Sequence, residues 1–326
     1  MSENPCAGGL WVFCEPAPDG IHPVAFELLG QAARLAAALC CSVTAVLPGA
    51  GKDEAPRLAA AGADTVLLAS GADPAQPDEL QYTEILSALV RKYDPSVLLL
   101  GATSFGRSLA PRLAARLGTG LTADCTSLEA DPETGLLLQT RPAFGGNLMA
   151  TIVCPDHRPQ MATVRPKVFP VPAPDPDRPW SLVTEVCPGG PRAFEWLERL
   201  AAAEESGIGE ADVLVAVGQG IGGSENIALA DQLARKLHGA LASSRPLVDS
   251  GVMPYPRQVG QTGKTVSPKL YLALGISGAI QHMAGVAAKM LVAVNTDPDA
   301  PICDYADVFI PCECGAFLRA ALDLLA

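Results

Sequence analysis

Charged side chains are scarce in this chain of 326 residues: they make up 18 %, whereas about 25 % is usual for soluble domains. A membrane protein would show such a deficit, but no uninterrupted apolar run approaches the ~18–20 residues of a spanning helix. The apolar runs at 97–100 and 213–217 have the length of strands. The lack of such a run argues against membrane insertion and leaves open the other explanation, a surface that is partly covered by a partner.

Positive charge is also short, with 23 Lys and Arg against 35 Asp and Glu and a formal net charge of −12. An acidic surface repels a phosphate backbone, so nucleic-acid binding is excluded as the main function. Residues 207–326 hold 8 basic and 11 acidic side chains. Most of the acidic surplus therefore lies in residues 1–206.

The arrangements of cysteine that mark metal sites are missing. None of the ten cysteines forms a Cys-x-x-Cys pair, and the spacing of Cys303, Cys312 and Cys314 matches neither zinc nor iron–sulfur patterns. The chain begins without the basic and apolar segments of a secretory signal peptide. We therefore expect reduced thiols, a cytoplasmic protein and no bound metal.

Strand-length apolar runs alternate with helical stretches along most of the chain. The spacing predicts, for example, strands at 42–47 and 97–100 and helices over 23–39 and 107–117. This alternation is typical of a doubly wound parallel sheet with helices on both faces. A second alternation begins at residue 212, so we predict two Rossmann-like α/β domains.

The predicted domains are an N-terminal one over 1–206 and a C-terminal one over 207–326. From Leu121 to about Phe169 the apolar period shortens and turn signals multiply, which predicts a β-rich extension made of β-hairpins or of added strands of the sheet. Seven prolines crowd between about 170 and 191 and indicate an extended linker or surface strap. A helix over about 192–205 should follow.

Two glycine-rich turns of the second domain suggest phosphate binding. Gly218, Gly220 and Gly223 form G-x-G-x-x-G between a strand and a helix, but the acidic residue of an NAD site is missing about 20 positions on. The motif therefore indicates either a diphosphate site or a tight turn. The run at 260–265 resembles a P-loop, but Gln258 stands where the first glycine is required, so we exclude a nucleotide-hydrolysing site.

Several loops should meet at one edge of the second sheet. Ser277 and His282 follow the strand at 270–274, Asn295 ends the next one, and Arg245 follows the strand near Leu241. The carboxyl edge of a doubly wound sheet is where cofactors bind. This convergence of loops is stronger evidence for a polar cofactor site than any single motif is.

The second domain resembles the FAD-binding domain of the electron transfer flavoprotein alpha subunit. The strings that carry the resemblance are Ser243-Ser244-Arg245-Pro246, Gln258-Val259-Gly260-Gln261-Thr262-Gly263-Lys264, Gly275-Ile276-Ser277-Gly278-Ala279-Ile280-Gln281-His282 and Asn295-Thr296-Asp297-Pro298. The first domain is similar to the family's partner-docking domain at 101–107, 119–125, 141–147 and 158–166. The resemblance covers nearly the whole chain.

The resemblance implies bound FAD. Arg245 would lie near the isoalloxazine and favour its negatively charged reduced form, and His282 would donate toward the O2 side of the ring. These two residues would tune the redox chemistry, while Thr262 would bond near N5 and Asn295 would meet the adenosine end. The residues implied to contact FAD are Ser244, Arg245, Val259, Gly260, Gln261, Thr262, Ser277, Gly278, Ala279, Ile280, Gln281, His282 and Asn295.

The sequence departs from the family pattern at two positions. Gln219 stands where the family often has arginine, and Glu313 stands where aspartate is common. The replacement of arginine by Gln219 removes a cation from the region of the diphosphate or adenosine.

The resemblance further implies a heterodimer with a beta subunit, acting as an electron carrier rather than a self-contained enzyme. A bifurcating form would oxidise NADH and divide the electrons between ferredoxin and a flavoprotein dehydrogenase of acyl-CoA or 2-hydroxyacid type. A housekeeping form would carry electrons from acyl-CoA dehydrogenases toward quinone. The strings at 10–13 and 21–24 are similar to alpha subunits of anaerobes and favour the bifurcating form. A stand-alone NAD(P)-dependent enzyme and a cofactor-free scaffold remain more distant alternatives.

Overall fold

The computed structural model describes residues 8–18, 20–49, 51–143, 148–187 and 207–325, together with Cys6 and scattered positions between 189 and 198. Contacts divide the chain into two compact units close to residue 200. Each unit is built on its own parallel sheet, and this confirms the predicted pair of Rossmann-like folds.

The first unit has a seven-stranded parallel sheet and two smaller antiparallel ones. In chain order its strands are β1 (Leu10–Phe13), β2 (Pro16–Ala17), β3 (Gly20–Ile21), β4 (Val43–Pro48), β5 (Thr65–Ala69), β6 (Val97–Gly101), β7 (Leu121–Cys125), β8 (Ser127–Asp131), β9 (Leu136–Ala143), β10 (Leu148–Ile152), β11 (Gln160–Val164) and β12 (Ser181–Glu185). The main sheet has the order β12-β5-β4-β1-β6-β11-β7. Its central strands are apolar throughout because both faces are buried.

Helices cover both faces of this sheet. They are α1 (Val24–Leu39), α2 (Ala55–Ala60), α3 (Glu79–Tyr93) and α4 (Ser104–Leu117). Leu28 of α1 and Leu58 of α2 belong to one buried apolar layer, whereas Leu86 of α3 and Leu109 of α4 belong to the other. The α4 helix begins where the Thr103 hydroxyl accepts a hydrogen bond from the backbone N–H of Gly106, at 2.9 Å.

The β-rich extension over 121–169 is a three-stranded sheet in the order β10-β9-β8. Both predicted alternatives occur in this stretch, because β8 and β9 pair in antiparallel fashion while its two ends extend the main sheet. Strands β7 and β11 belong to the main sheet, where β11 runs parallel between β6 and β7. The segment 144–147, part of one predicted docking string, lies outside the described residues.

The proline-rich stretch at 170–191 is more than a linker, because it contains strand β12. This strand pairs in parallel with β5 at the edge of the main sheet. The chain before it is anchored by a hydrogen bond from the Asp175 N–H to the Ala60 carbonyl and by an ion pair of 2.6 Å between Arg178 and Asp64. The helix predicted over 192–205 lies largely outside the described residues.

The second unit has one five-stranded parallel sheet. Its elements are β13 (Val213–Val217), α5 (Ser224–Lys236), β14 (Ala240–Ser243), α6 (Arg245–Asp249), β15 (Leu270–Leu274), α7 (Ile280–Met283), β16 (Met290–Asn295), β17 (Val308–Pro311) and α8 (Cys314–Leu324). The order is β14-β13-β15-β16-β17, so the order in which successive strands are added to the sheet reverses between β13 and β15, although all the strands remain parallel. That reversal creates a crevice at the carboxyl ends of the two strands.

The two faces of the second sheet are covered differently. Leu233 of α5 and Leu318 of α8 pack against one face. The other face is covered mainly by loop residues such as Val259, Val266 and Ile302. The loops on that side are therefore held by packing as well as by hydrogen bonds. Within the described part of the chain, no helix combines the length and the apolar character needed to cross a membrane.

Candidate functional site

The glycines after β13 and β15 are required by a close approach of two backbones. The N–H of Gly220 donates to the carbonyl of Gly275 at 2.9 Å. A Cβ on Gly218 would lie 2.3 Å from that carbonyl oxygen, and a Cβ on Gly275 would lie 2.3 Å from the backbone of Gly220. Gly275 also has a φ of +63°. Gly218, Gly220 and Gly275 thus have a structural role, whatever ligand their turns contact.

A cavity of about 470 Å³ opens beside these turns at the carboxyl edge of the sheet. Its volume lies within the range of about 300–1,000 Å³ that is usual for cofactor sites. Eleven of the thirteen predicted site residues line it: Ser244, Arg245, Val259, Gly260, Gln261, Thr262, Ser277, Ala279, Gln281, His282 and Asn295. Strings that are far apart in sequence are therefore brought to one site.

Two predicted site residues do not line this cavity. Gly278 and Ile280 lie instead on a neighbouring opening, which they share with Ala279 and Gln281. Gly278 has a φ of +84°, and a Cβ there would lie 2.3 Å from the backbone nitrogen of Ile302. Its glycine is explained by this contact between loops.

The lining also includes residues that sequence reasoning did not select as site residues. They are Gln219, Gly220, Pro246, Gln258, Gly275, Ile276, Asp297, Ala300 and Pro301. The turn at 300–301 carries no recognisable motif. Gln258 belongs to one of the family strings, but the sequence does not reveal that its side-chain amide bonds to the Thr262 hydroxyl in the folded loop.

The loop from Gln258 to Lys264 is a closed turn. The Lys264 N–H donates to the Gln258 carbonyl, and the Gly260 N–H donates to the Lys264 carbonyl. These backbone donors are used within the loop, whereas a nucleotide-hydrolysing P-loop, which the sequence excludes, directs its backbone donors at phosphate. The loop is joined to the segment after β15 by a hydrogen bond of 2.7 Å from the Gln261 N–H to the Gln281 carbonyl.

Thr262 is positioned at the cavity by two side chains. Its hydroxyl accepts a hydrogen bond from the Gln258 amide at 3.0 Å, and its carbonyl accepts one from the Tyr255 hydroxyl at 2.8 Å. Since the Gln258 amide supplies the proton, the Thr262 hydroxyl keeps its own proton for another acceptor. The arrangement presents a hydrogen-bond donor toward the cavity.

Arg245 is the first residue of the short helix α6 and supplies positive charge at the cavity. Its Nε lies 3.1 Å from Oδ2 of Asp249, and both side chains are more than half exposed. An exposed pair of this kind is weak, so Asp249 reduces the field of the guanidinium without fixing its orientation. Asn295, by contrast, is held by a hydrogen bond of 3.1 Å from its amide to the Ile276 carbonyl.

His282 lies in α7 and is 7 % exposed. Its Nε2 lies 2.8 Å from the hydroxyl of Tyr271, which is fully buried in β15. Its Nδ1 is buried and has no hydrogen-bond partner within the described residues. Burial lowers the pKa of His282 to about 4, although interaction with the Val259 backbone partly opposes this effect. The ring is therefore neutral near pH 7.

The lining suits a large, partly polar heterocyclic cofactor. Apolar side chains such as Val259 and Ile276 form part of the wall, while the amides, hydroxyls and Arg245 can satisfy polar edges and negative charge. The buried Nδ1 of His282 makes no hydrogen bond within the described residues, so it can bond to an acceptor atom of a bound cofactor. These features fit FAD, whose ring system has both a flat apolar face and polar edges.

Two family models match the chain. The electron transfer flavoprotein domain matches residues 10–184, and the electron transfer flavoprotein FAD-binding domain matches residues 207–287. The second match includes most of the lining residues of the cavity but ends before Asn295.

Curated relatives are similar over almost the whole chain. Protein FixB of Clostridium saccharobutylicum is 46 % identical, with 92 % of this chain and 90 % of the relative covered. The electron transfer flavoprotein subunit alpha of Clostridium acetobutylicum is 45 % identical, with 93 % and 92 % covered. The lactate dehydrogenase (NAD(+),ferredoxin) subunit LctC of Acetobacterium woodii is 40 % identical, with 91 % and 72 % covered.

Proposed function

This chain belongs to the electron transfer flavoprotein alpha-subunit family, and we propose that the cavity at the carboxyl edge of its second sheet holds the FAD of that family. The alpha subunit is an FAD-binding electron carrier. The observation that best supports the site is that eleven of the thirteen residues implied by the family resemblance line one cavity of about 470 Å³.

Each group of lining residues has a distinct part in holding the cofactor. The closed loop at 258–264 and the segment at 275–282 would form the walls, because their backbones bond to one another. Thr262 and His282 would donate hydrogen bonds to acceptor atoms at the polar edge of the ring. Arg245 would favour negative charge there. When bound, FAD supplies the capacity to accept and release electrons singly or in pairs.

Family membership implies a partner subunit. An alpha subunit of this family pairs with an electron transfer flavoprotein beta subunit and exchanges electrons with dehydrogenases. The acidic first unit is the proposed docking half, since most of the net charge of −12 lies in residues 1–206. The low charged fraction of 18 % agrees with a chain whose surface is partly covered by a partner and a cofactor.

The FAD site can be tested with a cavity-filling substitution. Ala279→Trp places an indole at an exposed lining position, whereas Ala320→Trp places the same side chain on the outer surface of α8. The co-expressed heterodimer should be yellow. Ala279→Trp should lower its content of tightly bound FAD several-fold, and Ala320→Trp should leave that content unchanged. Equal flavin content in the two variants would place FAD elsewhere.

The finer proposal is a cytoplasmic, bifurcating form. It would oxidise NADH and divide the electrons between ferredoxin and a dehydrogenase of acyl-CoA or 2-hydroxyacid type. The name of LctC, a lactate dehydrogenase subunit that is 40 % identical to this chain, includes both NAD(+) and ferredoxin and supports this form. The alternative is a housekeeping carrier from acyl-CoA dehydrogenases toward quinone.

Two measurements on the purified heterodimer separate these forms. The bifurcating form should contain two FAD per heterodimer, and its flavin absorbance should bleach when NADH is added under anaerobic conditions. One FAD per heterodimer and no bleaching would favour the housekeeping carrier. A colourless protein whose fluorescence responds to NADH would instead support a stand-alone NAD(P)-dependent enzyme.

A further inference from the structure

Tyr271 contacts His282 of the proposed flavin site from within the core of the second unit. Its side chain is fully buried in β15, and its hydroxyl lies 2.8 Å from Nε2 of His282. Among the described residues, this is the only hydrogen bond that the Tyr271 hydroxyl makes. The two residues are eleven positions apart and belong to the strand and the helix on either side of the glycine-rich turn.

The hydrogen bond between Tyr271 and His282 contains one proton, so the position of the Tyr271 hydroxyl proton and the tautomer of His282 depend on each other. A buried O–H that is left without an acceptor destabilises the fold, and this favours donation from the Tyr271 hydroxyl to the acceptor beside it, Nε2 of His282. A neutral imidazole carries a single N–H. If Nε2 accepts from Tyr271, the ring proton of His282 must be on Nδ1.

The other arrangements leave buried groups unsatisfied. With the proton on Nε2, the Tyr271 O–H would have no acceptor and Nδ1 would have a lone pair without a donor. A doubly protonated ring would also leave the Tyr271 O–H without an acceptor. Burial in addition opposes the positive charge, because it lowers the pKa of His282 to about 4. Both alternatives are therefore disfavoured in the folded chain.

We propose that Tyr271 is a positioning residue, which fixes His282 as the Nδ1–H tautomer so that the ring presents one neutral donor to the cofactor cavity. This inference rests on the proposed FAD site. It assigns the two groups at the polar edge different physical roles, because Arg245 supplies charge and His282 supplies direction. The hydrogen bond would hold the position of the cofactor ring, and as a neutral donor it would stabilise negative charge there less strongly than the guanidinium does.

The test measures the tautomer directly. The heterodimer is prepared with ¹⁵N-labelled histidine, and the ring nitrogens of His282 are identified by their loss in His282→Gln. We expect a protonated Nδ1 and an unprotonated Nε2 near pH 7. In Tyr271→Phe the fixed tautomer should be lost, FAD should bind about three- to tenfold more weakly, and the flavin potential should fall.

Tyr82→Phe is the matched control, because Tyr82 is also fully buried and donates its hydroxyl to a backbone carbonyl in the first unit. This control should lose stability without changing the His282 resonances or the flavin potential. A wild-type protein with its ring proton on Nε2 would overturn the proposal. So would a Tyr271→Phe variant whose His282 resonances match those of Tyr82→Phe.

A different result would contradict the proposed function. A wild-type heterodimer that binds no FAD would contradict the flavin site, whereas the ring resonances would still decide the role of Tyr271. The wild-type measurement alone can contradict the assigned Nδ1–H tautomer. The proposal therefore stays testable even if Tyr271→Phe does not fold.

Discussion

A buried carboxyl in the first unit should make its stability depend on pH in an unusual direction. Glu15 follows β1 and is 6 % exposed, and its carboxylate accepts a hydrogen bond of 2.5 Å from the Thr103 hydroxyl. Burial raises the pKa of Glu15 from 4.5 to about 7, although the Thr103 hydrogen bond works against this shift. Between pH 4.5 and about 7, Glu15 therefore keeps its proton in the folded chain but loses it in the unfolded chain.

The sign of the effect follows from this difference. Below pH 4.5 Glu15 is protonated in both states and costs nothing, but as the pH rises to about 7 only the unfolded chain releases its proton freely. A difference of about 2.5 pKa units corresponds to about 3 kcal/mol of stability lost across that window. The free energy of unfolding of the first unit should thus fall as the pH rises from 4.5 to about 7.

Glu15→Gln removes the ionisation and keeps an acceptor for the Thr103 hydroxyl. We expect the variant to be more stable than wild type by about 1–3 kcal/mol at pH 8 and nearly equal to it at pH 4.5. Urea denaturation followed by the fluorescence of buried Trp11, on the neighbouring strand β1, reports on this unit. Glu129→Gln, at an exposed position in β8, is the control.

The comparison isolates Glu15 from other groups. The pKa of Glu27 is also raised to about 7 by burial, but Glu27 is present in wild type and variant, so its contribution cancels. A difference between Glu15→Gln and wild type that does not change between pH 4.5 and pH 8 would refute the reasoning. A variant that is less stable at pH 8 would show that the ionised carboxylate stabilises the fold.

Two further predictions concern the cofactor site. Arg245→Ala should lower the flavin potential by about 20 mV or more, since an exposed charge a few ångströms away contributes about 1 kcal/mol. Arg235→Ala, which also breaks an i,i+4 ion pair with aspartate but lies in α5, should leave the potential unchanged in the same titration. Gly275→Ala should destabilise the second unit by more than about 3 kcal/mol and lose FAD, because its Cβ would meet backbone at 2.3 Å. Gly251→Ala, at a φ of +72° with open space around its Cβ, should cost only about 1 kcal/mol in the same denaturation assay.

Much of the architecture was readable from local pattern. Strand β13 (Val213–Val217) matches the predicted strand, and β15 and β16 lie where apolar runs predicted them. The reason is that hydrophobic periodicity and glycine turns are encoded within short windows. The same logic failed for strand β12 (Ser181–Glu185), because prolines dominate the composition around it while pairing with β5 decides its conformation.

The candidate site divides in the same way. Residues such as Arg245, Thr262 and Asn295 stand in recognisable strings, and the rule that parallel strands end at one edge predicts that they meet. Gly278 belongs to such a string as well, but its backbone packs against Ile302 instead of lining the main cavity. A motif identifies which residues act together, but the orientation of each side chain depends on neighbours that the motif does not contain.

Family, cofactor class and two-part α/β organisation thus follow from residue order, because each depends on spacings within a few dozen residues. The protonation of Glu15 and the hydrogen bond between Tyr271 and His282 depend on burial and on atoms brought within 3 Å by folding. Burial changes the free energy of a charge or a polar proton by several kcal/mol. For that reason the chemistry of these side chains is set by the folded environment, although their identity was visible from the start.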